Sequence, residues 1–157
     1  MLLVKYWFLF ITKGLVILKK VEIFEKKNKI PHSKIFIKKV VNSILEMEKV
    51  SDYNISIAYL TKEDLREINK KYRKIDRTTN VLSFLYEKNS TFFGEVIISD
   101  YHIIVKNEDF LKLLIHGILH LLGYDHKKKE ERKEMLKKEK FYYNLIKNEK
   151  SKFSAKS

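Results

Sequence analysis

The chain contains no cysteine, a single proline and only four glycines. Without cysteine there can be no disulfide, no thiolate zinc site and no thiol nucleophile, so any transition-metal site must be built from histidines and carboxylates. So little glycine and proline leaves few turn punctuators, and neither a Ser/Pro-rich linker nor an internal repeat divides the chain. Long hydrophobic runs are missing as well. The most apolar stretch, Met1–Phe24, is broken by Lys5, Lys13 and Gly14, and its longest clean run is Tyr6 to Ile11. A membrane-spanning helix needs about 20 apolar residues. A signal peptide needs a basic start, a longer apolar run and a small-residue cleavage site. Residues 1–14 therefore read as a hydrophobic extension, residues 15–148 as one domain, and residues 149–157 as a flexible polar tail. Two alternatives for the N-terminus are translation starting near Leu15 or Val16, and contact with a membrane surface. The expected location is cytoplasmic.

What the chain does contain is charge and core. Its 157 residues fit one domain, and 45% hydrophobic with 13% aromatic residues exclude global disorder. The net charge is +13 and the isoelectric point about 9.7, which favours a polyanionic partner. Almost all of that charge is lysine in a chain also rich in Ile and Asn, a balance that AT-rich coding produces without selection for binding.

The pattern predicts strands over Leu15–Phe24, Asn54–Leu60, Asn80–Tyr86 and Phe92–Ser99, the last two joined by the Glu87–Ser90 turn. Ile55 and Ile57 alternate with polar neighbours in the second strand. Helices are expected from Pro31/Ser33 to about Lys49, and from a capping box at Thr61–Asp64 with Leu65, Ile68 and Tyr72 on one face. Asn107 is expected to cap a further helix running to about Leu122, with Glu108 and Asp109 in its first turn. A last charged helix spans about Lys129 to Ile146, with a Glu134–Lys138 pair in favourable order and Met135, Leu136, Tyr142, Tyr143 and Ile146 turned to the core. Strands and helices without strict alternation indicate an α+β fold.

The chemistry concentrates in Leu113–His126, LLIHGILHLLGYDH. His116 and His120 lie four apart on a helix, hence on one face, about 5–6 Å apart at Cβ. Gly123 sits where a helix-ending glycine turns left-handed, which lets Tyr124 and Asp125 bring His126 back toward the pair. Three neutral histidines with a fourth position open is the pattern of catalytic rather than structural zinc, at which the pKa of water falls toward neutrality. His32 and His102 lack such spacing and read as surface or loop residues. The zincin peptidase pattern has Glu directly after the first histidine; this chain has Gly117, which demotes proteolysis.

HGILHLLGYDH resembles the H-G-x-L-H-L-x-G-Y-D-H motif of the YbeY-type endoribonucleases. Asn69–Phe84, NKKYRKIDRTTNVLSF, and Gly94–Ser99, GEVIIS, are similar to two further blocks of that family in the same order, so the likeness spans roughly Val21 to Ile146. The resemblance implies an α+β, zincin-like sandwich, a small mixed sheet with helices packed against it and the metal in a basic cleft. It implies one zinc ion per chain held by His116, His120 and His126, with Arg73 acting on phosphate and His116 and Arg73 as the catalytic pair. The activity it implies is single-strand-specific cleavage of ribosomal RNA, in small-subunit 3′-end maturation and ribosome quality control. Ribosomal particles are then the partners and DNA is not expected.

Three departures from the family pattern stand out: Thr78 and Leu85 replace prolines, and the Ser99–Phe110 segment is short. The first two are expected to loosen the loop before the third strand, and the third to alter the outer wall of the cleft. On the residues alone, Arg73 also reads as a helix-end cation. Asp76 either orients Arg73 or caps a turn, Ser83 and Asn80 line the cleft or a strand edge, and Asp125 orients a histidine or simply forms the turn. Tyr124 stacks on a base or packs, and Lys127–Lys129 are candidates for RNA contact. Two other functions are compatible with the pattern, a metal-stabilised RNA-binding assembly factor and a metallopeptidase or esterase.

Overall fold

The computed structural model describes residues 18–87 and 91–154. The N-terminal extension, the expected strand start at Leu15 and most of the Glu87–Ser90 turn lie outside them. In chain order the elements are β1 (Lys19–Glu25), α1 (Lys34–Met47), β2 (Tyr53–Leu60), α2 (Lys62–Arg73), β3 (Val81–Glu87), β4 (Phe92–Ser99), α3 (Asp100–Ile104), α4 (Phe110–Leu121) and α5 (Lys129–Ser154). The architecture is a mixed α+β one. None of its described helices is long and apolar enough to cross a membrane.

The sheet order is β1-β2-β4-β3, with β1, β2 and β4 parallel and β3 antiparallel to β4. The connections dictate this. β1 reaches β2 through α1, a crossover long enough for parallel pairing, whereas β3 and β4 are close enough in sequence to form an antiparallel pair. The larger core lies on one face, where Ile55, Ile57, Tyr59, Val96 and Ile98 meet α1, α4 and α5. On the other face Ala58, Leu82 and Ile97 meet Leu65 of α2. β2 is thus buried on both sides. The polar positions Asn54 and Ser56, which alternation suggests for a solvent face, are each only 7% exposed.

Helix starts follow side-chain caps. Ser33 Oγ accepts from Phe36 N, and Thr61 and Asp64 form the full capping box. At α4 the structure departs from expectation. Asn107 adopts φ 55° and closes the preceding turn, and Asp109 is the cap, accepting from Leu111 N and Lys112 N. The Asn107–Asp109 segment therefore contributes one cap and no first turn. The short Ser99–Phe110 stretch holds the one-turn helix α3. Scarcity of glycine shows in the backbone: Lys49, Lys74 and Asn107 all occupy left-handed positions where glycine is usual.

α5 runs to Ser154, well past Ile146, because no glycine or proline follows to stop it. Met135, Tyr142 and Ile146 are buried as expected, but Leu136 is 55% exposed. Lys138 does not pair with Glu134; it bonds Glu48 at the end of α1 (2.7 Å). Glu48 also accepts from Tyr124 (2.9 Å) and from Tyr142. This carboxylate ties α1, the turn after α4, and α5 together.

Burial alone would push the Glu48 carboxyl up, but hydrogen bonds from Lys138, Tyr142 and Tyr124 overcome it and hold the value low. A carboxyl that titrates lower when folded contributes stability above its unfolded pKa, about 4.3, and loses it as pH falls through the folded value. Glu48→Gln is expected to cost about 1–3 kcal/mol at neutral pH. The gap between variant and wild type should shrink below about pH 4, as read by denaturant melts across pH. A gap independent of pH would contradict the assignment.

Candidate metal centre

α4 is buried almost all round, so its exposed stripe is narrow: Lys112, His116 and His120, successive i, i+4 positions. The flank beside that stripe is pressed onto the sheet at Gly117. A Cβ built there would lie 2.4 Å from Val96 Cγ1 and 3.1 Å from Ser83 Oγ. The position that holds glutamate in zincin peptidases thus faces the sheet and has no room for a side chain. Ser83 Oγ donates to the Gly117 carbonyl (2.9 Å), locking β3 to the helix beside His116.

α4 ends as its sequence suggests. Gly123 takes φ 94°, with its N–H on the His120 carbonyl, and Tyr124 N–H bonds the Leu119 carbonyl. The reversed chain brings His126 beside the other two. Ring centroids are 4.5 Å apart for His116–His120, 5.2 Å for His120–His126 and 5.9 Å for His116–His126. One nitrogen from each lies within 4.8 Å of the others, and no other such trio of potential ligands occurs among the described residues. His116 Nε2 and His120 Nε2 are 3.0 Å apart. Two nitrogens bound at about 2.0–2.1 Å to one tetrahedral ion would be about 3.4 Å apart, so the pair is spaced for a shared metal. Burial, and then the neighbouring imidazoles His116 and His126, hold the pKa of His120 down, favouring the neutral ring that a metal requires. The donor set and spacing fit a zinc-like ion.

One contact escaped the sequence reading. His116 Nδ1 lies 2.5 Å from Glu139 Oε1 on α5. In sequence Glu139 is one acid among alternating Lys and Glu; only the docking of α5 against α4 singles it out. Asp125, by contrast, accepts from the His126 backbone N–H (2.7 Å) and pairs with Lys127 (3.2 Å), while its carboxylate stays 3.7 Å from His126 Nδ1. It is mainly a turn aspartate. Lys128 pairs with Glu131 (3.3 Å).

Arg73, at the end of α2, turns away from its own helix. Its Nη2 donates to the Ser83 carbonyl on β3 (3.4 Å), and its guanidinium lies 5.6 Å from the Phe84 ring centroid. The chain of contacts Arg73–Ser83–Gly117 thus links the arginine to the helix of His116. Asp76 does not orient Arg73; it accepts from Arg66 Nε (2.7 Å) and Lys70 Nζ (3.0 Å). Thr78, expected to loosen this loop, tethers it through a hydroxyl bond to the Lys62 carbonyl (3.3 Å). Asn80 donates to Glu108 (2.8 Å) and borders a groove of about 610 Å³ with His116, Lys112, Glu139, Lys140 and Tyr143. Tyr124 packs through its bond to Glu48. His32 contacts the rings of Phe36 and Phe110, and neither it nor His102 joins the cluster.

Gly117→Glu is expected to destabilise the fold by at least about 3 kcal/mol, since a charged side chain would enter packed apolar contacts. That corresponds to a melting temperature about 6–12 °C lower, read by calorimetry. A variant as stable as wild type would show that the helix can lift from the sheet.

Comparison with known proteins identifies the family. Residues 20–147 match the family model described as Endoribonuclease YbeY. The Endoribonuclease YbeY of Wolbachia sp. subsp. Drosophila simulans (strain wRi) is 39% identical over 127 residues, covering 71% of this chain and 84% of that protein. The one from Clostridium botulinum (strain 657 / Type Ba4) is 34% identical over 149 residues, covering 73% and 90%. A Thermotoga maritima protein solved in solution shares the fold, with a TM-score of 0.56 and 24% identity over 87% of this chain and 95% of its own. By the residues matched and the length over which they match, this chain belongs to the YbeY endoribonuclease family.

Proposed function

We propose that this protein is a metal-dependent endoribonuclease that cuts single-stranded segments of ribosomal RNA in the cytoplasm, in small-subunit 3′-end maturation and ribosome quality control. The observation that carries the reading is the convergence of His116, His120 and His126, in a chain whose relatives are named endoribonucleases. The +13 charge supports a polyanionic substrate. We read the fold as a zincin-like sandwich with α4 as its metal helix.

The three imidazoles hold one zinc ion. When bound, zinc supplies Lewis-acid chemistry at phosphoryl oxygens and a more acidic water. The chain's own contribution is geometric. α4 and the Gly123 turn hold the imidazoles at fixed spacing, and burial holds the pKa of His120 down. Arg73 is exposed, and its planar guanidinium can take a phosphate through two parallel hydrogen bonds. Its Nη2 is held by the Ser83 carbonyl of β3, the strand whose Ser83 hydroxyl bonds α4 at Gly117. Charge developing on the phosphate oxygens would meet a cation already in place. A peptidase reading is weaker, because Gly117 leaves no glutamate base on α4.

The test is cleavage of labelled single-stranded RNA by zinc-loaded protein from nuclease-deficient cells. Elemental analysis of the wild type is expected to give one zinc per chain; Arg73→Ala is expected to lower the rate on the order of 10²–10³-fold, and His116→Ala to abolish both cleavage and the bound zinc. RNA binding without cleavage would leave an assembly factor. Peptide hydrolysis that survives Arg73→Ala would leave a peptidase.

A further inference from the structure

We propose that Glu139 is a positioning residue for the metal centre, accepting the Nδ1 proton of His116 so that Nε2 of that ring points at the metal. The inference rests on the reading of the three histidines as a metal site and adds to it a fourth residue, on a different helix. A neutral imidazole carries one proton, on either nitrogen, and can bind a metal only through the other. At His116 the choice is made by a carboxylate: Glu139 Oε1 lies 2.5 Å from Nδ1, while Nε2 faces His120 Nε2 at 3.0 Å. With the Glu139 oxygen as acceptor, the proton between them belongs on Nδ1 and the Nε2 lone pair is free to bind.

Two features separate this contact from an ordinary surface ion pair. Neither partner is freely exposed, with side chains 30% and 26% accessible. The segment that carries Glu139 is also held on both sides. Lys138 and Tyr142 bond Glu48 at the end of α1, and the Tyr143 hydroxyl donates to Asp109, the cap of α4 (2.5 Å). α5 is therefore clamped to the helix that carries His116, and the carboxylate arrives with little side-chain freedom left to lose. Among the described residues no other carboxylate bonds a ring nitrogen of the cluster; Asp125 stops 3.7 Å from His126 Nδ1. A negative charge behind one ligand makes that ring more basic and aims it, and loss of such a partner typically weakens metal binding about 10–100-fold.

The test uses the full chain stripped of metal, with cobalt(II) titrated against a competing chelator, and ring ¹⁵N shifts of the metal-free protein to read tautomers. Wild type is expected to bind one cobalt per chain and to show His116 as the Nδ1–H tautomer. Glu139→Ala should bind cobalt about 10–100-fold more weakly, with His116 a mixture of tautomers. Glu139→Gln keeps an acceptor oxygen but loses the charge, and should fall between the two. Cobalt affinity of Glu139→Ala within threefold of wild type, with the tautomer unchanged, would overturn the proposal and leave the metal site standing. If Glu139→Ala does not fold, equal cobalt affinity of Glu139→Gln and wild type overturns it instead. A wild type that binds no cobalt and no zinc would remove both the metal site and this role.

Discussion

The contact on which the site depends is the close approach of α4 to the sheet at Gly117. With no side chain there, the helix settles onto Val96 and Ser83, and every other inward position of α4 fills with Leu, Ile or Phe. A helix buried so thoroughly has one narrow open stripe, and His116 and His120 occupy it. Their spacing is then a property of a packed helix rather than of two mobile side chains, which a preorganised metal site requires. The same contact seats β3 against α4, and the Ser83 carbonyl of that strand holds Arg73.

A second constraint comes from outside α4. Glu48 gathers Lys138, Tyr142 and Tyr124, so one carboxylate at the end of α1 fixes both α5 and the turn that returns His126. The strongly charged last helix looks like a solvated wrapper, yet one of its acids bonds the outer nitrogen of His116. Fold stability and site geometry thus share residues: the clasp that holds α5 in place is also what presents Glu139 to His116.

Local signals in the sequence were reliable where local physics decides. Ser33 and the Thr61–Asp64 box start their helices, and Gly123 ends α4 in the left-handed conformation expected of it. The signals misled where the decisive partner is distant. Asn107 looked like a cap but serves as a left-handed turn residue, because a chain with four glycines must use other residues there. Asp76 is a sequence candidate to orient Arg73, but it accepts instead from Arg66 and Lys70 of α2. Asn54 and Ser56 alternate as if half-exposed, yet each is only 7% exposed in the folded chain.

The absence of cysteine, with which the chain's chemistry is first bounded, restricted its metal ligands to histidine and carboxylate, and the spacing of His116, His120, Gly123 and His126 already placed three imidazoles around one point. Helical periodicity and a glycine turn are short-range properties, so the sequence by itself determined them. Glu139 and the anchoring of Arg73 on β3 were decided only by tertiary structure. Both depend on how α5 and α2 dock against distant elements. Docking is set by the sum of many buried contacts, and no spacing of residues along one segment encodes it.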